Sequence, residues 1–226
     1  MEYRSGSAHV FVRSGGEWTH QIKLLAPDRT VNDPFGENDW FGRNVAIYED
    51  TIVVGAQGDD GIGCDIEPGL DDDIGCDFGS AHVFVRSGSE WTHKAKLLAP
   101  DGATYDYFGS STAIYEDTIV VGADGRGLAH VFVRSGESWT HQAKLLAPDR
   151  AMFDFFGWSV AIYGDTIVVG APWDGDFGDE SGSAHVFVRS GMRWSRQVKL
   201  LVPDGAAGDW FGEDVAIYGN TIVIGR

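Results

Sequence analysis

Acidic residues cluster in two glycine-rich stretches. "PWDGDFGDESGS" places Asp174, Asp176, Asp179 and Glu180 within a few positions of one another. "GDDGIGCDIEPGLDDDIGCDFGS" carries Asp59, Asp60, Asp65, Glu67, Asp71, Asp72, Asp73 and Asp77. Alternating Asp and Gly lets hard carboxylate oxygens converge on one point, which is the chemistry of calcium. Asp174, Asp176, Asp179, Glu180, Asp71 and Asp73 are therefore the candidate metal ligands, and Ca2+ is the candidate cofactor. Neither stretch has the spacing of a helix-loop-helix calcium loop. A solvated acidic loop without an ion is the competing reading.

The longer stretch also holds both cysteines, Cys64 and Cys76, and repeats "IGCD" at Ile62 and Ile74. A Cys64–Cys76 disulfide would fold this excursion into a compact lobe and would fit an oxidising compartment. Two free thiols are the alternative. All seven histidines lie at repeated positions: His9, His82, His130 and His185 share one, and His20, His93 and His141 another, with Arg196 in the fourth copy. They fall on strands placed away from any central axis, so the expected role is structural. Asp28, Asp101, Asp149 and Asp204 each follow a proline, and Asp39, Asp106, Asp154 and Asp209 precede an aromatic-Phe-Gly. Asp side chains bind nearby backbone in turns, and that local role is expected here. No nucleophile elbow is present, and "DFG" stands without the other kinase motifs.

The elements that must carry these residues repeat. "AHVFVRSG" occurs four times, from Ala8, Ala81, Ala129 and Ala184. An aromatic residue followed by Phe-Gly recurs at Trp40, Tyr107, Phe155 and Trp210, with successive glycines 67, 48 and 55 residues apart. After each comes "VAIY" or "TAIY", a two-residue turn, and "TIVVG" or "TIVIG". Such β-branched runs around tight turns read as strands. Each unit reads as four strands, and nothing sustains a helical period. Four-stranded units repeated at about 50 residues indicate propeller blades. The expected fold is all-β: a β-propeller of four-stranded antiparallel blades in a single domain over residues 1–226, with a long loop insertion at about 57–79. The N-terminal residues supply the third and fourth strands of a blade and the C-terminal residues the first and second. Joined, they would close a fourth blade.

Charge narrows the partners. The 226 residues include 34 acidic and 17 basic side chains, a net charge of -17. Such a field repels nucleic acid and anionic membrane surfaces and attracts cations. No apolar run approaches a membrane span, and no signal peptide is visible. Neither nucleic acid nor membrane insertion is expected.

"FGWSVAIYGDTIVVGAP", from Phe156 to Pro172, followed by "GSAHVFVRSG", resembles the FG-GAP repeat family, whose β-propeller repeats also occur in integrin α subunits. The bacterial and algal variant, with "GDTIVVGAP" and "W..QAKL", is the most similar. Only one copy has the full Gly170-Ala171-Pro172; the others read Gly55-Ala56-Gln57, Gly122-Ala123-Asp124 and Gly225-Arg226. The resemblance implies a propeller, commonly of seven blades. Three arrangements fit four repeats: a closed four-blade monomer, a homodimer forming an eight-blade ring, or part of a longer propeller. Integrin-like repeats often bind calcium in an Asp-rich hairpin. Here that turn is only "YED", "YGD" or "YGN", too short to wrap the ion, so that site is not carried over.

The function expected from this is a non-catalytic binding or adhesion scaffold, extracellular or on a cell surface. It would present acidic variable loops to a protein or glycan ligand, with calcium as a possible aid. Two alternatives stand: a polysaccharide-acting hydrolase or lyase with its site at the propeller mouth, and a structural module of a larger protein. An active site normally breaks repeat symmetry, whereas these polar residues recur from copy to copy.

Overall fold

The computed structural model describes residues 6–28, 39–59, 77–149, 151 and 153–226. Asp71, Asp73, Cys64 and Cys76, and with them the disulfide and part of the candidate metal set, lie outside the described residues.

Three four-stranded antiparallel sheets follow one another along the chain. Blade 1 is β3 (Val45–Tyr48), β4 (Thr51–Ala56), β5 (Ser80–Ser87) and β6 (Glu90–Leu97). Blade 2 is β7 (Phe108–Tyr115), β8 (Thr118–Ala123), β9 (Leu128–Ser135) and β10 (Ser138–Leu145). Blade 3 is β11 (Val160–Tyr163), β12 (Thr166–Ala171), β13 (Ser183–Ser190) and β14 (Arg193–Leu200). Two half-blades flank them: β1 (Ala8–Ser14) with β2 (Glu17–Leu24), and β15 (Val215–Tyr218) with β16 (Thr221–Ile224). The chain is thus all-β, an arc of propeller blades, as expected. Among the described residues the one helical piece is a 3-10 turn, Asp124–Arg126. No helix there is long and apolar enough to cross a membrane.

Period-2 alternation puts apolar side chains on both faces of each sheet, and the core lies between blades. Val53, Ala81, Val83 and Leu97 of blade 1 pack against Phe108, Ile114, Ile119 and Phe132 of blade 2. Blades 2 and 3 repeat this with Val120, Val131 and Leu145 against Phe156, Ile162, Ile167 and Phe187. In the three complete blades the Phe of Phe-Gly (Phe41, Phe108, Phe156) is buried and meets its own blade's third strand edge-on, Phe108 at 5.5 Å from His130 and 6.0 Å from Phe132.

A β-bulge recurs between the third and fourth strands, as between Val83 and Phe84. Bulges re-aim a side chain, and here the skipped residue can reach the next blade. Gln21 accepts a hydrogen bond from Trp91 Nε1 at 3.1 Å, and Gln142 one from Trp194 Nε1 at 2.8 Å. The hairpin tryptophans Trp91 and Trp194 pack between blades.

One expectation fails. The half-blades do not complete each other: β1–β2 and β15–β16 remain separate two-stranded sheets. Each half-blade stacks on its sequence neighbour, Leu24 and Val10 on blade 1 and Val215 and Ile224 on blade 3. The step from blade to blade is set by repeated contacts, including the parallel bridges Gly6–Phe41, Gly79–Phe108 and Gly182–Phe211. That step does not bring the ends together after four units. Val45 and Ile47 on β3, which a closed ring would cover, are 57% and 63% exposed.

Candidate functional site

The Phe-Gly turn builds the site. In every copy the residue after Phe-Gly donates its backbone N–H to the carbonyl of the aromatic residue before it: Arg43 to Trp40, Ser110 to Tyr107, Trp158 to Phe155, Glu213 to Trp210, at 3.0–3.1 Å. The glycine at the third position has φ between +91° and +100°, which only glycine adopts freely. The aromatic residue ahead of it also has positive φ, 51–54°. That conformation is uncommon outside glycine, and the scaffold imposes it four times. The turn leaves two of these rings at the surface and the other two half-buried. Trp40 and Trp210 are 41% and 43% exposed.

The residues following each Phe-Gly converge. Arg43, Asn44, Ser110, Ser111, Trp158, Ser159, Glu213 and Asp214 line one cavity of about 260 Å³, joined by Gln57 and Asp124 from the ends of β4 and β8. Four units therefore contribute to one polar mouth. Hydrogen bonds link its wall from blade to blade: Asn44 Oδ1 accepts from Thr112 N and Oγ1, Ser111 Oγ donates to Gly157 O, and Ser159 Oγ donates to Gly212 O. Burial pushes the Asp124 carboxyl up to about 6, with Ser110 and Arg43 pulling the other way. A carboxyl so perturbed inside a cleft marks a candidate functional group.

Aromatic rings spread outward from this mouth. Arg43 lies over the Trp40 ring at 5.0 Å. Phe155 stacks edge-on against Trp158 at 6.0 Å and Trp173 at 4.5 Å, and reaches Phe153 at 6.5 Å. Phe153 and Trp173 are exposed. The cavity residues were not among the candidates of the sequence. The signal was there: the two positions after Phe-Gly read Arg-Asn, Ser-Ser, Trp-Ser and Glu-Asp within otherwise repeated flanks.

The acidic candidates are organised differently. Asp174 and Asp176 do come together, but around an ammonium. Lys199 Nζ lies 2.6 Å from Asp174, 2.7 Å from Asp176 and 3.0 Å from Asp149. Burial works against this ammonium, yet hydrogen bonds to the three carboxylates raise its pKa above the ordinary value. The carboxylate of Glu180 instead accepts from Trp210 Nε1 at 2.8 Å. Asp28, Asp59 and His82 have ligand atoms close enough to share a cation, but Lys96 Nζ already sits 2.5 Å from Asp28 and 2.6 Å from Asp59. Both sets have carboxylates suited to calcium, and in both a lysine holds the point where the ion would sit. As arranged, neither fits the ion.

Lysine and proline-linked aspartate thus act across blades. Asp28–Lys96, Asp101–Lys144 and Asp149–Lys199 tie each linker to the fourth strand of the following blade. The local role expected for Asp holds for the other series, where Asp106, Asp154 and Asp209 accept from the backbone N–H of Ala103, Ala151 and Ala206.

The third-strand histidines of blades 1 and 3 sit in buried relays. Asp59 accepts from Ser80 Oγ at 2.6 Å, Ser80 Oγ lies 3.1 Å from His82 Nε2, and His82 Nδ1 lies 3.1 Å from His93 Nε2. Blade 3 repeats Asp174–Ser183–His185 at 2.7 and 3.2 Å. Two breaks follow from substitutions. Leu128 replaces the serine in blade 2 and leaves His130 Nε2 without a partner; Arg196 replaces the second histidine in blade 3 and leaves His185 Nδ1 without one. Burial pushes His82, His130 and His185 down to about 4, so they are neutral.

A family model described as FG-GAP repeat matches residues 37–84, 91–136, 139–187 and 194–226. No curated protein matches. Among solved structures, the chain is similar to the crystal structure of Saccharomyces cerevisiae Sqt1, at 10% identity and a TM-score of 0.45, over 73% of this chain and 36% of that one.

Proposed function

The chain belongs to the FG-GAP repeat family, and from that premise we propose that it is a non-catalytic binding scaffold whose loop face holds a glycan. One observation carries the reading: partly exposed aromatic rings, Trp158 among them, flank a polar cavity built from the residues that break the repeat. Pyranose rings present apolar C–H faces that lie on aromatic rings, and hydroxyls that need paired donors and acceptors. Trp158, Trp173, Phe155 and Trp40 offer the first. Arg43, Asn44, Gln57 and Asp124 offer the second, in the usual manner of a pocket with a few convergent polar groups. The net charge of -17 favours neutral or amino sugars over acidic ones. The proposal places the protein outside the cell or on its surface, in an adhesive role.

The test is binding to an immobilised panel of neutral, amino and acidic oligosaccharides. The proposal expects capture of a neutral or amino sugar, weakened at least tenfold, or about 1.4 kcal/mol, by Trp158→Ala or Trp173→Ala with the β-sheet circular dichroism unchanged. Binding to none of the panel sinks the glycan reading. Release of new reducing ends sinks the non-catalytic one and favours a hydrolase or lyase.

Calcium assistance is the second reading, supported by the carboxylates gathered at Asp174 and Asp176 and at Asp28 and Asp59. It requires Lys199 or Lys96 to leave. Calcium titration followed by calorimetry decides it: heat that disappears in Asp174→Asn supports an ion in that loop.

A further inference from the structure

The open edges of the two half-blades carry matching halves of one strand pair. Among the described residues β16 pairs only with β15, and β1 only with β2. In every complete blade the second and third strands pair in one register: Thr166–Val188, Ile167–Phe187, Val168–Val186, Val169–His185 and Gly170–Ala184, with the same pattern in blades 1 and 2. β16 reads Thr-Ile-Val-Ile and is followed by Gly225; β1 begins Ala-His-Val-Phe-Val.

We propose that a second copy of this chain completes each half-blade, with β16 of one copy pairing with β1 of the other. The register is Thr221–Val12, Ile222–Phe11, Val223–Val10, Ile224–His9 and Gly225–Ala8. Three observations support it. Val223 and Phe11 are 65% and 54% exposed, whereas their counterparts Val168 and Phe187 are 0% and 4%. Val45 and Ile47 on β3 are bare where Val160 and Ile162 of blade 3 are covered by the preceding blade's inner strands. Gly225 is a glycine with nothing nearer its Cβ position than 3.7 Å, while its counterparts Gly55, Gly122 and Gly170 each face the next blade's Phe-Gly carbonyl at about 2 Å. The open arc gives Gly225 no reason to lack a side chain; a following blade does. One contact changes. Asn220 stands where Asp165 receives Arg189, so Arg13 would meet a neutral acceptor. Two copies of residues 8–224 would bring together eight blades' worth of strands, within the range of known propellers. Such a head-to-tail contact closes when the rotation fits.

The test starts with the full chain under analytical ultracentrifugation, where the proposal expects twice the 24.5 kDa of one chain. Val223→Lys should give the single-chain mass with unchanged far-UV circular dichroism, because the exposed position accepts lysine only while the edge is open. Val10→Cys combined with Val223→Cys should form a crosslinked dimer under oxidation, and Val12→Cys with Val223→Cys should not. A single-chain mass for the unmodified protein across micromolar concentrations overturns the proposal. So does a Val10–Val223 crosslink within one chain, which would mean that the ring shuts on itself. Crosslinking at equal yield in both cysteine pairs overturns the register.

Discussion

The Cα of Gly55 on β4 faces the carbonyl oxygen of Gly109 in the next blade, and a Cβ on Gly55 would stand 2.1 Å from it. Gly122 meets Gly157 O at 2.1 Å and Gly170 meets Gly212 O at 2.0 Å in the same way. The glycine that ends each second strand and the glycine of the following Phe-Gly are one contact, made between blades. This is why both glycines recur together in the repeat.

Gly55→Ala should therefore destabilise the fold by about 3 kcal/mol or more, because the obstacle is backbone that cannot swing aside. Urea denaturation checks it. A change below about 1 kcal/mol would mean that the blades separate easily.

Removing the Ser80 hydroxyl should separate a relay from a packing contact. Ser80→Ala deprives buried His82 Nε2 and the Asp59 carboxylate of a shared partner, at a cost of about 1–3 kcal/mol. Blade 2 already lives with Leu128 at that place, where the leucine contributes apolar burial instead. Chemical denaturation of Ser80→Ala and Ser183→Ala should give similar losses.

Acid should weaken the protein well above the carboxylate range. The folded pKa of His82, His130 and His185 is about 4 against an ordinary 6.5. The unfolded chain thus binds more protons in that window, and stability falls as pH drops from about 6.5 towards 4. The loss is at most about 3 kcal/mol for each histidine, reached near pH 4. Asp124, raised to about 6, acts in the opposite sense, adding stability as pH falls from about 6 towards 3.8. Denaturation midpoints at pH 7.5, 6, 5 and 4.5 should decline, and decline more steeply in Asp124→Asn. A flat profile would show that the histidines are not held neutral.

Lys199→Met should expose what the ammonium does. Asp149, Asp174 and Asp176 would be left facing one another, at a cost of about 1–3 kcal/mol given that two of the three are partly exposed. The same variant should show a larger calcium-dependent rise in melting temperature than the unmodified protein. No gain in the variant would show that the carboxylates alone do not form a cation site.

Much of the fold was legible because it is local and repeated. Four copies of "AHVFVRSG" and of the aromatic-Phe-Gly turn, separated by β-branched pairs around two-residue turns, name four strands per unit, and sixteen strands follow among the described residues. Strand identity depends on alternation within a few residues, which one copy carries and four copies repeat. The histidines' structural role was legible for the same reason.

The site was not. Lys199 belongs to one strand and Asp149, Asp174 and Asp176 to two loops, so their meeting depends on how one blade stacks on the next. The cavity depends on it too, since Arg43 and Glu213 are 170 positions apart yet line one mouth. Closure is decided at the same level. The sequence by itself determined the blades and the two complementary half-blades. Only the tertiary structure decided that these halves stay apart within the chain, because the angle between blades is fixed by side-chain packing at each interface. No single repeat encodes how many such steps make a circle.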